Sequence, residues 1–293
     1  MTIPDAYARC QAVAAGHYEN FPVASRLLPA AMRPHVAAVY AFARAADDFA
    51  DEGSATPEQR LAWIDTWLSL RRAGPAGAAM APAVGHVAAD DVRATFLATQ
   101  DTIERCRLDP QLLDDLLSAF AQDVTRARYA NWPEVLDYCR RSANPVGRLV
   151  LGIAGVHDEA TALRSDAVCT ALQLANFWQD LGQDWRERNR LYVPLDLMAT
   201  HGATTGALDA DRADPPWQQV ITELGARTQA LFDEGRPVCD AVRGRLRYEL
   251  RVTWLGGTTV LRRTLEARRS SLHARPVLTK VDMIRILAGA VLW

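Results

Sequence analysis

Apolar side chains recur at three- and four-residue intervals along most of the chain, with neither sustained alternation nor an Asn-Gly hairpin turn. The pattern predicts an all-α protein. Val36, Val39, Tyr40, Phe42 and Ala43 form the stripe of a helix that Pro34 opens and that runs to about Asp51, with Gly53 as its stop. A second helix fits Pro57 to Arg72, and Gly74, Pro75, Gly77, Pro82 and Gly85 predict a loop over 73–90 before a helix from about Asp91. Asp109 and Pro110 supply an N-cap and first turn for a helix through Leu113, Leu116, Leu117 and Phe120 to Val124. Another helix starts near Pro133 and is interrupted around Asn144-Pro145-Val146-Gly147, because proline lacks the backbone donor a helix interior needs. A long amphipathic stretch runs from Asp158 to about Asp184, and 186–216 reads as mixed loop and short helix. Trp217 to Glu234 and Ala241 to Arg269 read as helices, the latter containing Gly256-Gly257, a mark of close packing or of a cavity wall. A segment from Asp282 closes the fold.

Composition narrows the picture. With 49% hydrophobic and 23% charged residues in 293, and no Ser-, Pro- or charge-rich linker, the chain reads as one globular domain. Its 33 basic and 35 acidic residues leave a net charge of -2, which provides no global field for nucleic acid. Five scattered cysteines without a C-x-x-C pair argue against a disulfide framework and a structural zinc site, and six histidines without paired spacing receive no metal role. No secretory leader is evident at Met1 to Cys10, so a cytoplasmic location is expected. No apolar run approaches the roughly 20 residues that span a bilayer, and Met283 to Trp293 reads as a core helix in preference to a membrane contact.

Two acidic clusters change the functional reading. Asp47 and Asp51, in Asp47-Asp48-Phe49-Ala50-Asp51-Glu52, share one helical face, where like charges repel. Alone, the cluster reads as a solvated helix end. Asn176, Asp180 and Asp184 then form an i, i+4, i+8 ladder in a second apolar helix. Magnesium takes hard oxygen ligands, often one or two carboxylates together with phosphate oxygens, so two facing ladders would bind ions that bridge a diphosphate. Arg44 precedes Asp48 by one turn, and Arg186, Arg188 and Arg190 follow the second ladder. Guanidinium groups pair bidentately with phosphate; the plain alternative is helix salt bridging of Arg44 with Asp48 and of Arg188 with Asp184.

These motifs occur in an order that resembles the squalene and phytoene synthase family. The resemblance rests on Phe21-Pro22-Val23-Ala24-Ser25 to Leu28-Pro29, Tyr40-Ala41-Phe42-Ala43-Arg44 and Asp47-Asp48-x-x-Asp51, and on Tyr138-Cys139 through Val146-Gly147. Leu172-Gln173-Leu174-x-Asn176-x-x-x-Asp180-x-x-x-Asp184 and Arg190-x-Tyr192-x-Pro194 complete it over most of the chain. Glu19-Asn20-Phe21, Ser142-Ala143-Asn144-Pro145, Asn176-Phe177-Trp178-Gln179-Asp180, Thr253-Trp254-x-Gly256-Gly257 and Arg275-Pro276-Val277-Leu278 look most like its bacterial hydroxysqualene synthase branch, in hopanoid biosynthesis. The resemblance implies a single-domain isoprenoid synthase fold around a central apolar cavity. It implies conversion of presqualene diphosphate and water to hydroxysqualene, with Mg2+ and neither nicotinamide nor flavin.

On that resemblance Asp47, Asp48, Asp51, Asn176, Asp180 and Asp184 are expected to hold magnesium, and Ser25, Arg44, Arg188, Arg190 and Tyr192 to bind substrate. Tyr129 matches a cavity tyrosine of the family or is a packing tyrosine. Asn144, beside Pro145, either holds the water that quenches the cation or satisfies a broken helix. The expected partner is a small isoprenoid diphosphate, with peripheral contact at the inner face of the membrane and handover to other hopanoid-pathway enzymes left open. Two alternatives stand: a head-to-head synthase acting on two allylic diphosphates, and a family-shaped assembly protein without chemistry.

Overall fold

A computed structural model describes residues 1–16 and 27–293. The described residues are helical with no strand, only two isolated β-bridges, Val84 with Val87 and Arg128 with Leu191. They fall into two compact units, each described by itself.

The first unit comprises Met1–Thr125 and Pro145–Asp158. It holds α1 (Ile3–Gly16), α2 (Arg33–Asp51), α3 (Pro57–Ala79), α4 (Ala89–Cys106) and α5 (Gln111–Thr125). Phe42, Phe49, Trp67 and Phe96 fill its centre, with the Trp67 and Phe96 rings 4.6 Å apart and Trp67 Nε1 donating to the Phe42 carbonyl at 3.2 Å. The sequence expectation missed α1 because its buried contacts are small residues: Ala6, Cys10 and Ala14 pack against Ala37, Ala38, Ala41, Ala94 and Ala98. The expected 73–90 loop starts late. Gly74 takes φ 64°, kinking the helix, and Pro75 then opens a fresh helical stretch that lasts to Ala79.

The second unit comprises Arg126–Asn144 and Glu159–Trp293. Its α6 (Trp132–Ser142) ends at Ala143, and α7 (Asn144–Ile153), which belongs to the first unit from Pro145 onward, begins immediately, with Pro145 in its first turn. The break therefore falls one residue before Asn144, and the proline sits where a missing donor costs least. The axis of the unit is α8 (Glu159–Arg188). After α9 (Leu195–His201) and α10 (Thr205–Asp209), α11 (Pro215–Gly235) packs on α8. The expected single helix over 241–269 is divided, because Val242 is extended and Gly244 takes φ 63°, into α12 (Val238–Ala241) and α13 (Gly244–Ala267).

Gly257 of α13 lies so close to Leu172 and Phe232 that a Cβ there would come within 2.5 Å of Leu172, whereas Gly256 faces open space. Close packing is thus the role of one glycine of the pair. The last helix, α14 (Lys280–Leu292), corrects the expectation of a core helix. Asp282, Ile286 and Ala290 are buried, but Ile284, Val291 and Leu292 keep 67%, 69% and 84% of their surface.

Candidate functional site

In the first unit, the apolar stripe of α2 buries Phe42, Ala46 and Phe49, which leaves Arg44, Asp47, Asp48 and Asp51 on the half-open flank. The last turn of α2 contains no basic residue. Carboxylates there meet the negative end of the helix dipole, so the arrangement opposes stability unless positive charge is supplied. Arg44 supplies some of it: it pairs with Asp48, lies 3.7 Å from Asp47 and reaches Glu52 at 2.8 Å. His86 Nε2 stands 3.9 Å from Asp48. Crowding by protein, then the nearby Asp51 carboxylate, pushes Asp47 up to about 7, and desolvation also raises Asp48.

In the second unit, Phe177, Trp178 and Leu181 turn into the core of α8, and the i, i+4 spacing sets Asn176 and Asp180 together. Asn176 Nδ2 donates to Asp180 Oδ2 at 3.0 Å. Asp184, one turn on, is 8% exposed; burial and the Asp180 charge push it up to about 6 although Arg188 Nη1 lies 3.1 Å away. Both ion pairs that were the plain alternative, Arg44 with Asp48 and Arg188 with Asp184, are therefore present. Arg190 lowers the Asp184 value through its charge, and its backbone N–H donates to the Asp184 carbonyl at 3.0 Å.

Arg275 was absent from the candidate residues. Its Nε donates to Asp180 Oδ1 at 2.5 Å across 95 positions of sequence. A strap from Ser270 to Pro276 brings it there. Fully buried Arg268 donates to the mid-helix carbonyls of Trp178 and Gln179, both at 2.8 Å, and to Ala274, which ties strap to helix. Burial lowers this guanidinium to about 10. Gln179 Nε2 donates to the Pro276 carbonyl at 2.6 Å, and Gly182 lets the His273 backbone approach so closely that a Cβ would lie 2.5 Å from it.

Next to this ladder is an aromatic cluster. Phe177 and Tyr192 stack at 3.6 Å; Tyr192 lies 5.5 Å from buried Tyr129 and 5.8 Å from Tyr138. The ring faces of such a group carry negative potential and suit a cationic neighbour, as Arg126 over Tyr129 at 5.0 Å already illustrates. Phe177 and Tyr138 were legible as motif residues but not as parts of a site. Asn144 accepts from Thr170 Oγ1 at 2.8 Å, which fixes its carbonyl oxygen on α8. Ser25 lies outside the described residues.

Among the described residues no three His, Cys, Asp or Glu side chains already converge as an ion site. The donor set nevertheless fits a hard divalent cation. Asp47 and Asp184 hold their protons to about 7 and about 6 because crowding by protein and then a neighbouring carboxylate, Asp51 and Asp180 respectively, disfavour their charge, and such carboxylates gain most from a bound metal.

The squalene/phytoene synthase family profile matches residues 14–282. The hydroxysqualene synthase of Zymomonas mobilis is 40% identical over 74% of this chain and 69% of its own, and that of Sinorhizobium fredii 36% over 80% and 75%. The crystal structure of squalene synthase HpnC from Alicyclobacillus acidocaldarius superposes with a TM-score of 0.81 at 37% identity, covering 92% of this chain and 96% of that one. With two carboxylate-bearing helices in an all-α chain and a match across most of its length, this protein belongs to the squalene/phytoene synthase family.

Proposed function

We propose that the chain is a hydroxysqualene synthase acting on presqualene diphosphate. The observation that carries the reading is the aromatic cluster of Tyr129, Tyr138, Phe177 and Tyr192 beside the Asn176, Asp180 and Asp184 ladder. A cation-stabilising surface would thereby stand next to a diphosphate-handling one, and the reading is supported by relatives 34–40% identical that are named hydroxysqualene synthases.

Asp47, Asp48, Asp51, Asn176, Asp180 and Asp184 would hold magnesium, whose Lewis acidity eases departure of the diphosphate. Arg44, Arg188, Arg190 and Tyr192 bind the diphosphate as charge grows on it, with Ser25 in the same role. The carbon–oxygen bond breaks heterolytically, and its electron pair leaves on the diphosphate. The cyclopropylcarbinyl cation then rearranges against the aromatic faces, which spread no nucleophile in its path. Asn144, its oxygen fixed by Thr170, holds the quenching water through its amide hydrogens. Water oxygen bonds to carbon and its proton passes to bulk water. No hydride donor enters this balance, so nicotinamide and flavin have no part. Oily ligands make the inner membrane face the place of work and direct handover to the next hopanoid enzyme its consequence.

Separate incubations with presqualene diphosphate and with farnesyl diphosphate, with magnesium and without NADPH, test the reading by mass spectrometry. Hydroxysqualene from the first alone is expected. Condensed products from farnesyl diphosphate alone would instead establish a head-to-head synthase.

A further inference from the structure

Seven of the thirteen exposed large apolar side chains among the described residues lie between Val277 and Leu292. On α14 they are not scattered. At 100° per residue, Asp282, Ile286 and Ala290 point to one side and pack on α13, whereas Val281, Ile284, Leu287, Val291 and Leu292 occupy the other. A helix apolar on both faces is ordinarily buried on both.

The inner face is firmly held. A capping box at Thr279 starts the helix, Arg263 Nη2 donates to buried Asp282 at 2.8 Å, Arg251 Nη1 to the Ala290 carbonyl at 3.3 Å, and Trp293 Nε1 to Asp240 at 3.1 Å. The outer stripe is thus presented by a fixed helix.

Charge identifies what covers it. Between Arg243 and Trp293 there are eleven basic and three acidic residues, in a chain whose net charge is -2. Glu249 and Asp282, two of those three acids, are buried; of the bases, Arg268 is buried, and Arg251, Arg263 and Arg275 pair with Asp240, Asp282 and Asp180. The exposed charges of α14 are Lys280 and Arg285, and because Arg251 meets Ala290 and lies over the rings of Tyr248 and Trp293, exposed Tyr248 of α13 is near the far end of the stripe. A second copy docked by two-fold symmetry would set this basic rim near its own equivalent, which is unfavourable. The helix has 13 residues, about 20 Å, too short to cross the roughly 30 Å hydrocarbon core. We infer that the outer face of α14 lies in the surface of an anionic phospholipid bilayer, with Val281, Ile284, Leu287 and Val291 in the acyl boundary and Lys280 and Arg285 among the headgroups. The inference names the membrane contact left general in the proposed function, and rests on that reading only for its purpose.

Flotation of the full chain with vesicles of phosphatidylglycerol in phosphatidylcholine, and of phosphatidylcholine alone, tests it. Binding to the anionic vesicles is expected, weakened about fivefold for each charge removed in Lys280→Gln and Arg285→Gln. Ile284→Glu with Val291→Glu, both at exposed positions, should lower it by roughly tenfold or more with thermal unfolding unchanged. Turnover of detergent-dispersed presqualene diphosphate is followed in parallel: it should survive both pairs of substitutions, and its absence from the wild type would count against the proposed activity while leaving vesicle binding to be judged by itself. No flotation, flotation indifferent to the substitutions, or a wild-type dimer that Ile284→Glu with Val291→Glu dissolves in sedimentation would overturn the inference.

Discussion

Asp48 and Asp180 keep 13% and 17% of their side-chain surface, and Asn fills the same space, so Asp48→Asn and Asp180→Asn remove charge without opening a cavity. Turnover should fall roughly hundredfold or more, since metal assistance contributes several kcal/mol and each 1.36 kcal/mol is tenfold, while far-ultraviolet circular dichroism stays unchanged. Full turnover at ordinary magnesium would remove these residues from the metal site. Asp47 makes a signed prediction about pH. Between 3.8 and about 7 the folded chain keeps a proton on Asp47 that the unfolded chain has released, so rising pH lowers the stability of the metal-free protein across that window. In EDTA, the melting temperature of Asp47→Asn relative to wild type should therefore climb as pH rises toward 7 and then level off; a flat difference contradicts the desolvation of Asp47. Product balance tests Asn144: Asn144→Ala and Thr170→Val should both shift the ratio of hydroxysqualene to eliminated products more than substrate consumption, whereas a merely structural asparagine leaves the ratio unmoved. The carboxylates were legible because i, i+4 spacing fixes which side chains share a helical face. Arg275 was not, since only the folding of the strap brings it to Asp180.

Helices with large apolar stripes, such as α2, α5 and α8, could be read to within a turn, because 3.6-residue periodicity of Phe, Leu and Val is a strong signal. Alanine contacts carry no such signal, which hid α1, and the outward stripe of α14 looked like core because periodicity reports apolarity and says nothing of what covers it. The strap on α8 is the element whose fit matters most to the ladder. A methyl at Gly182 would meet the His273 backbone at 2.5 Å and the Leu272 carbonyl at 2.9 Å, and backbone yields less readily than a side-chain tip. Gly182→Ala should cost about 1–3 kcal/mol in urea unfolding and weaken turnover as Arg275 is drawn from Asp180. Unaltered stability would show that the strap is free to move away from α8.

For the molecule as a whole, the proposed magnesium would serve the ligand's phosphates more than either core, both of which are built from aromatic and aliphatic packing. Excess EDTA should abolish turnover while the thermal transition persists, and unfolding on chelation would mean a structural metal. In the proposed reaction, water ends the carbocation sequence inside an otherwise apolar fold. Turnover of presqualene diphosphate in oxygen-18 water, with magnesium and without NADPH, measures this directly. Hydroxysqualene carrying one heavy oxygen is the predicted product; unlabelled alcohol, or squalene formed without a reductant, would contradict it.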